Sequence, residues 1–135
     1  MSTRLKNITI LVIDDDRDTL EALRALLEEN GANVVTADSV AAALVICRHA
    51  PPHLVLSDMR LGSSDGFALI EAIRKYNKEY RGFTPAIALT AYWPPGDEAR
   101  AMTAGFDAYL RKPVDAEDLI GTITSVLRIP AGLAA

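Results

Sequence analysis

The segment Ile8–Asp16 reads ITILVIDDD, an apolar and β-branched run that leads directly into three aspartates. The same arrangement recurs at Leu54–Asp58, which reads LVLSD. Near-continuous apolar runs of this length are typical of parallel strands covered by helices on both faces of a sheet. The two segments therefore predict buried parallel strands that each end in an acidic residue.

Three more short strands are predicted outward from these two, at Val34–Thr36, Ala86–Thr90 and Ala108–Leu110. Between the strands, apolar residues recur at helical spacing, which predicts amphipathic helices. Their clearest faces are Leu20, Leu23 and Leu27, then Phe67, Ile70 and Ile73, then Leu119, Ile123 and Val126. Strand and helix alternating five times predict a doubly wound α/β domain, with a five-stranded parallel sheet and helices on both faces.

Length and composition predict one domain over residues 1–128 and a loose tail over 129–135. The net charge of -4 and the lack of a Lys/Arg run give no support to direct nucleic-acid binding. The N-terminus lacks an apolar leader, and no run approaches the roughly 20 apolar residues of a membrane span. The single cysteine, Cys47, lies among apolar residues and is expected to be buried. We expect a cytoplasmic domain without membrane contact.

Chemically active side chains follow four of the predicted strands. Asp14 and Asp15 follow the first strand, Asp58 ends the third, Thr90 ends the fourth, and Lys112 follows the fifth. In open parallel sheets, ligands bind outside the carboxyl ends of the strands. These five residues are therefore expected to converge at one edge of the sheet.

The residue types at this edge are those that phosphoryl transfer needs. Crowded carboxylates require a cation, and oxygen ligands without cysteine or a nearby histidine favour Mg²⁺, or Mn²⁺, over Zn²⁺. An aspartate left free by the metal can act as nucleophile. Lys112 and the Thr90 hydroxyl can bind phosphoryl oxygens. Metal, nucleophile and positive charge together predict a phosphoryl-transfer site.

Each of these residues also has a simpler explanation when it is considered alone. The acidic run can supply a helix N-cap through Asp16 and first-turn charge through Asp18. Asp58 can be a turn residue, Thr90 an ordinary strand end, and Lys112 a solvated loop lysine. What favours a site is that four separate strand ends each present a suitable group at one edge.

With these motifs assembled, the chain resembles the receiver domains of bacterial response regulators, from about Ile8 to Leu127. The resemblance implies a flavodoxin-like fold with strand order 2-1-3-4-5. The motifs that carry it are LVIDD at Leu11–Asp15, LSDMRL at Leu56–Leu61 with Asp65 and Gly66 after it, LTA at Leu89–Ala91, and YLRKP at Tyr109–Pro113.

The resemblance also implies a role for each acidic residue. Asp58 matches the phosphoacceptor, and Asp14 and Asp15 match the acidic pair that holds Mg²⁺. In this family pattern Asp15, Asp58 and the backbone carbonyl of Arg60 ligate the metal directly, while Asp14 acts mainly through water. The implied cofactor is therefore Mg²⁺, with Mn²⁺ as a substitute.

The remaining family positions describe a switch. Thr90 matches the hydroxyl residue that turns toward the phosphoryl group, and Lys112 matches the family lysine, whose bond to Pro113 is expected to be cis. Tyr109 matches the aromatic residue that swings inward as Thr90 moves. The implied phosphoryl donor is a histidine kinase or a histidine phosphotransfer protein. The implied output face is the fourth helix, fifth strand and fifth helix, which binds a downstream protein or a second copy of the chain.

Two loops depart from the family pattern. The loop after Asp58 has Gly62 where a proline is usual, and the loop after the fourth strand, Ala91–Gly96, is aromatic and proline-rich. Arg60 and Tyr92 occupy positions that tune dephosphorylation in the family. Both are bulky, which predicts slow loss of the phosphoryl group. The domain is expected to catalyse only its own phosphorylation and dephosphorylation, and not to be an enzyme for a separate substrate.

Three other functions are alternatives to this one. A haloacid-dehalogenase-type phosphatase needs a second aspartate two residues after the nucleophile, where this chain has Arg60. A flavodoxin-like electron carrier needs a Ser/Thr/Gly phosphate loop where this chain has Asp14–Asp16. The third, a receiver used as a phosphorylation-independent docking or dimerisation module, usually lacks a key residue, and none is missing here. The sequence leaves open whether the domain acts alone or within a larger regulator or hybrid kinase.

Overall fold

A computed structural model describes residues 3–61, 64–80, 82–91 and 95–129. Apart from two short additional strands after the third, strands and helices alternate along the chain as predicted. The elements are β1 Thr9–Ile13, α1 Arg17–Glu29, β2 Asn33–Ala37, α2 Val40–His49, β3 Leu54–Asp58, β4 Arg60–Leu61, β5 Ser64–Asp65, α3 Gly66–Tyr80, β6 Ala86–Thr90, α4 Asp97–Ala104, β7 Ala108–Arg111 and α5 Ala116–Val126.

The main sheet has five parallel strands in the order β2-β1-β3-β6-β7. This is the predicted 2-1-3-4-5 order, since β4 and β5 form a separate antiparallel pair. The register pairs Ile13 with Ser57, and Thr90 with Arg111. The carboxyl ends of the central strands therefore lie side by side, which brings the residues that follow them to one edge.

The sheet separates two apolar layers. One layer contains α2, α3 and α4, and the other contains α1 and α5. Successive residues of β1 and β3 point alternately into the two layers, so Leu11 and Val55 face one and Val12 and Leu56 the other. All four are almost fully buried, and each stabilises the fold by about 1.5–3 kcal/mol relative to an exposed side chain. The apolar strands predicted from the sequence therefore form the centre of the domain.

Helix caps follow the predicted chemistry. The side chain of Asp16 is the N-cap of α1 and accepts a hydrogen bond from the amide of Thr19, and Asp115 caps α5 in the same way. Gly31 and Gly105 follow α1 and α4 with φ of 97° and 125°, a region that favours glycine. Local sequence signals therefore fix where these helices begin and end.

The antiparallel pair β4–β5 is a feature that the sequence did not predict. It pairs Arg60 with Asp65 and closes the loop that follows Asp58. The chain then turns sharply, and the amide of Gly66 donates to the carbonyl of Met59 over 3.0 Å. A Cβ on Gly66 would lie 2.6 Å from the sulfur of Met59 and 3.1 Å from the carbonyl oxygen of Asp58, so glycine avoids a crowded contact here.

Three smaller expectations can be compared with the structure. Cys47 is buried, as predicted. Across the described ranges, no helix combines the length and apolar character needed to cross a bilayer. The predicted tail lies outside the described residues except for Ile129, which packs partly buried against the α1–α5 layer. The domain boundary at residue 128 stays a prediction.

Candidate functional site

Three carboxylates meet at the carboxyl edge of the sheet. Asp14 and Asp15 follow β1 and Asp58 ends β3, and one oxygen from each lies within 4.8 Å of the others. Asp14 is buried, Asp58 is partly buried, and Asp15 is exposed. The cluster therefore opens to solvent on the side of Asp15. Clustered carboxylate oxygens are the ligands that hard divalent cations prefer, so these residues can hold a metal ion.

Lys112 supplies a positive charge to the same edge. Its ammonium Nζ lies 2.8 Å from Oδ2 of Asp14 and 3.7 Å from Oδ2 of Asp58. The amide of Lys112 donates to the carbonyl of Thr90 over 2.8 Å, which holds the backbone of Lys112 at this edge. The Lys112–Pro113 bond is cis, as expected. The second oxygen of Asp14 accepts from the amide of Asp16 over 2.9 Å. Both oxygens of the most buried carboxylate therefore have hydrogen-bond donors.

The electrostatic balance differs at Asp58. Burial raises the pKa of Asp58 above its usual range, and the negative charge of Asp14 raises it further. The positive charge of Lys112 and the backbone amides of Arg60 and Met59 lower the pKa of Asp58, but burial dominates. A carboxylate in this environment gains from a cation that replaces the water it has lost.

The two predicted switch residues lie on adjacent strands behind the acidic cluster. Thr90, at the end of β6, is buried, and so is Tyr109 on β7. The hydroxyl of Tyr109 donates to Oδ2 of Asp97, at the start of α4, over 3.4 Å. Burial, followed by the charge of Asp97, raises the pKa of Tyr109 to about 12. Tyr109 is therefore buried with its hydroxyl bonded to α4, and it keeps its proton throughout the neutral range.

Residues 10–124 match the family model described as the response regulator receiver domain. The chain belongs to this family. The match covers both strands of the acidic cluster, the Thr90 position and the Lys112 position. The family assignment made from five short motifs is therefore confirmed.

Related receiver domains occur in proteins of different length. The "uncharacterized 14.6 kDa protein in sodA1 3'region" of Leptolyngbya boryana is 44% identical over 117 residues, which are 86% of this chain and 87% of that protein. The sensor histidine kinase GacS of Pseudomonas protegens is 34% identical over 111 residues, which are 82% of this chain and 12% of the kinase. A solved response regulator receiver domain protein from Clostridium thermocellum has a TM-score of 0.81 at 32% identity, covering 90% of this chain and 94% of that one.

Of the other residues predicted to belong to the site or its loops, the structure describes Arg60 but not Tyr92 or Gly62. Arg60 is exposed on β4, directly after the acidic cluster, where its backbone belongs to the loop around Asp58. Tyr92, predicted to tune dephosphorylation, lies outside the described residues, as does Gly62. The structure thus brings Asp14, Asp15, Asp58 and Lys112 together.

The sequence did not predict that Asp97 is buried and contacts Tyr109. Asp97 is 8% exposed, although aspartate is rarely buried without a partner. The spacing of residues in α4 could have indicated this burial. Asp97 lies four residues before the buried Ala101 and so shares the inward face of the helix. That face could be assigned only once the orientation of α4 was known.

Proposed function

We propose that this receiver domain accepts a phosphoryl group on Asp58 and uses it to switch a protein-binding face. The observation that carries the proposal is the juxtaposition of the Asp14, Asp15 and Asp58 carboxylates within 4.8 Å, with the ammonium of Lys112 beside them. Phosphoryl transfer depends mainly on positioning and charge stabilisation. This cluster offers a nucleophile, metal ligands and a cation in one place.

The donor set fits Mg²⁺, and Mn²⁺ as a substitute. Asp15, Asp58 and the backbone carbonyl of Arg60 would hold the ion, with Asp14 contributing mainly through water. When bound, Mg²⁺ neutralises charge on the phosphoryl oxygens and on the crowded carboxylates. The exposed side of the cluster, at Asp15, is the side from which the ion and the donor would enter.

The reaction on the protein side is a displacement at phosphorus. An oxygen of Asp58 forms a bond to phosphorus as the bond from phosphorus to the donor histidine nitrogen breaks. The leaving nitrogen takes up a proton from solvent, which leaves imidazole on the donor and an acyl phosphate on Asp58. Lys112 bonds a phosphoryl oxygen, for which it must give up part of its contact with Asp14. The Thr90 hydroxyl donates to another phosphoryl oxygen. Attack by water on phosphorus later releases inorganic phosphate and restores the carboxylate.

The partners follow from this chemistry. A histidine kinase or histidine phosphotransfer protein would supply the phosphoryl group, and the groove beside Lys112 supports such docking. That groove is lined mainly by apolar residues of α1 and of the loop after β7, including Leu23, Leu26, Pro113 and Val114. A downstream protein, or a second copy of the chain, would bind the face formed by α4, β7 and α5. The domain acts only on its own phosphoryl group, and the bulk of Arg60 and Tyr92 predicts that this group is lost slowly.

Intact-protein mass spectrometry tests the proposal. The wild-type chain and Asp58→Asn would be incubated with acetyl phosphate, with and without Mg²⁺, beside Glu71→Gln, which changes an exposed carboxylate on α3. One phosphoryl adduct is expected in the wild type and in Glu71→Gln, only with Mg²⁺, and none in Asp58→Asn. A folded wild-type protein that binds Mg²⁺ yet gains no adduct, with acetyl phosphate or phosphoramidate, would favour the phosphorylation-independent docking module instead.

A further inference from the structure

A buried carboxylate marks the start of α4. The helix begins at Asp97, and the preceding Gly96 has φ of 86° and makes no side-chain cap. The side chain of Asp97 is 11% exposed. Burying a charged carboxylate is costly unless other groups compensate for the lost water. The partners of Asp97 therefore determine what this residue does.

Two side chains from different elements contact this carboxylate. The hydroxyl of Tyr109 on β7 donates to Oδ2 over 3.4 Å, and Nη1 of Arg100 lies 3.3 Å from Oδ1. The guanidinium of Arg100 also stacks over the ring of Phe67 on α3, 4.4 Å from its centroid. Because the side chain of Arg100 is 69% exposed, its ion pair is screened by water and contributes little. Tyr109 is the buried partner.

Tyr109 in turn needs an acceptor. Its ring packs in the α2–α3–α4 layer near Ala101, and a buried tyrosine hydroxyl usually requires a hydrogen-bond partner. Asp97 provides one from the adjacent helix. The contact thus joins the start of α4 to β7 and is made entirely by protein groups.

Among the described residues, different side chains contact the two ends of α4. At the C-terminal end, Arg74 of α3 donates to the carbonyl of Gly105 from Nε over 2.9 Å and from Nη2 over 2.7 Å, and it also pairs with Asp107. At the N-terminal end, Asp97 accepts longer bonds from Arg100, over 3.3 Å, and from Tyr109, over 3.4 Å. Within the part of the chain that the structure describes, the contact of Asp97 with Tyr109 therefore joins the start of α4 to β7.

We propose that Asp97 is a positioning residue that holds the hydroxyl of Tyr109, keeps the ring buried and ties the first turn of α4 to β7. The inference deepens the proposed function, because it assumes that Tyr109 and α4 belong to the face that partners bind. The contact itself needs no phosphoryl group. Loss of Asp97 would remove this acceptor from the Tyr109 hydroxyl and so favour movement of the ring out of the α4–β7 interface.

Fluorine NMR on the full chain tests this position directly. Tyrosines would be replaced by 3-fluorotyrosine, the Tyr109 resonance assigned by its loss in Tyr109→Phe, and exposure measured with a soluble gadolinium chelate and no phosphodonor. Tyr80, which is 63% exposed, is the internal standard. In the wild type, Tyr109 is expected to be protected. In Asp97→Ala, its relaxation enhancement should approach that of Tyr80.

Two matched variants separate positioning from loss of charge. Asp97→Asn keeps an acceptor oxygen and should leave Tyr109 protected, and Glu98→Ala removes the exposed neighbouring charge and should do the same. An accessible Tyr109 in the wild type, or a Tyr109 equally protected in Asp97→Ala, would overturn the proposal. Because Asp58 phosphorylation is measured separately by mass, failure of one proposal is distinguishable from failure of the other.

Hydrogen exchange provides a test that does not need Asp97→Ala to fold. Tyr109→Phe keeps the ring and removes only the hydroxyl, and Tyr80→Phe makes the same change at an exposed tyrosine. The amides of residues 100 and 101 lie in the first hydrogen-bonded turn of α4, where the amide of Arg100 donates to the carbonyl of Gly96. They should exchange about fivefold faster in Tyr109→Phe, the factor that corresponds to one net hydrogen bond. Equal exchange in Tyr109→Phe and Tyr80→Phe would overturn the proposal.

Discussion

Replacing Asp58 by asparagine is expected to raise the free energy of unfolding at neutral pH in the absence of Mg²⁺. Asparagine has nearly the same shape and removes one charge from a cluster in which the Asp14, Asp15 and Asp58 oxygens lie within 4.8 Å of one another. Burial is the main cause that raises the pKa of Asp58. Keeping this carboxylate ionised in the folded protein therefore lowers the free energy of unfolding, and the uncharged asparagine amide avoids this loss.

The magnitude follows from the distances. With an effective dielectric constant of about 20, repulsion between charges 4.8 Å apart is about 3.5 kcal/mol. Attraction between Asp58 and the ammonium of Lys112, 3.7 Å away, is about 4.5 kcal/mol on the same basis. These terms nearly cancel, whereas the desolvation of a buried ion costs several kcal/mol. Asp58→Asn should therefore stabilise the domain by about 1–3 kcal/mol.

The sign of the pH dependence is fixed by the raised pKa of Asp58. A carboxyl group with a higher pKa in the folded state destabilises the fold progressively as pH rises from the unfolded-state pKa to the raised folded-state pKa, and has no such effect when it is protonated in both states. The gain from Asp58→Asn should thus be greatest near pH 7.5 and shrink toward pH 4. Urea unfolding without divalent cations, compared with the exposed change Glu71→Gln, measures it. A gain that is absent at pH 7.5, or that does not vary with pH, would refute the reasoning.

Three further outcomes are expected. Mg²⁺ at 100 times its dissociation constant should stabilise the wild type by about 2.7 kcal/mol and raise its Tm. The rise in Tm should be smaller in Asp15→Asn, and an unchanged Tm of the wild type would contradict metal binding. Gly66→Ala should destabilise the fold by about 1–3 kcal/mol in urea, because its Cβ would meet Met59; wild-type stability would contradict this. Arg74→Met removes a guanidinium shared by Asp107 and backbone carbonyls and should cost about 2–3 kcal/mol, which a wild-type urea midpoint would contradict.

The acidic cluster was predictable because it depends on sequence signals that survive without tertiary detail. The strands β1 and β3 are apolar throughout and end at aspartates, and parallel pairing of Ile13 with Ser57 then brings Asp14 and Asp58 to the same edge. Lys112 follows from the same geometry, because it comes directly after β7, two strands from β3 in the sheet. Because the strands are parallel, residues that directly follow different strands lie at the same edge of the sheet, and this proximity can be predicted from the sequence.

Other features depend on contacts that the sequence pattern does not encode. The strands β4 and β5 have two residues each, too few for any periodicity to appear. The burial of Asp97 follows from how α4 is rotated against β7, and the contacts of Arg74 with Gly105 join residues 31 positions apart. Long-range packing decides these interactions, so they could be found only in the folded structure.

The position of Lys112 limits how a signal can leave the acidic cluster. Its amide is bonded to the carbonyl of Thr90, and β7 pairs with β6 along its length, with Tyr109 opposite Ala88. Moving β7 as a unit would break these backbone bonds, whereas rotating a side chain breaks none of them. We therefore expect any change at Asp58 to travel through the side chains of Lys112, Thr90 and Tyr109. Since the Tyr109 hydroxyl is bonded to Asp97, the first turn of α4 is the first helical segment that such a change can reach.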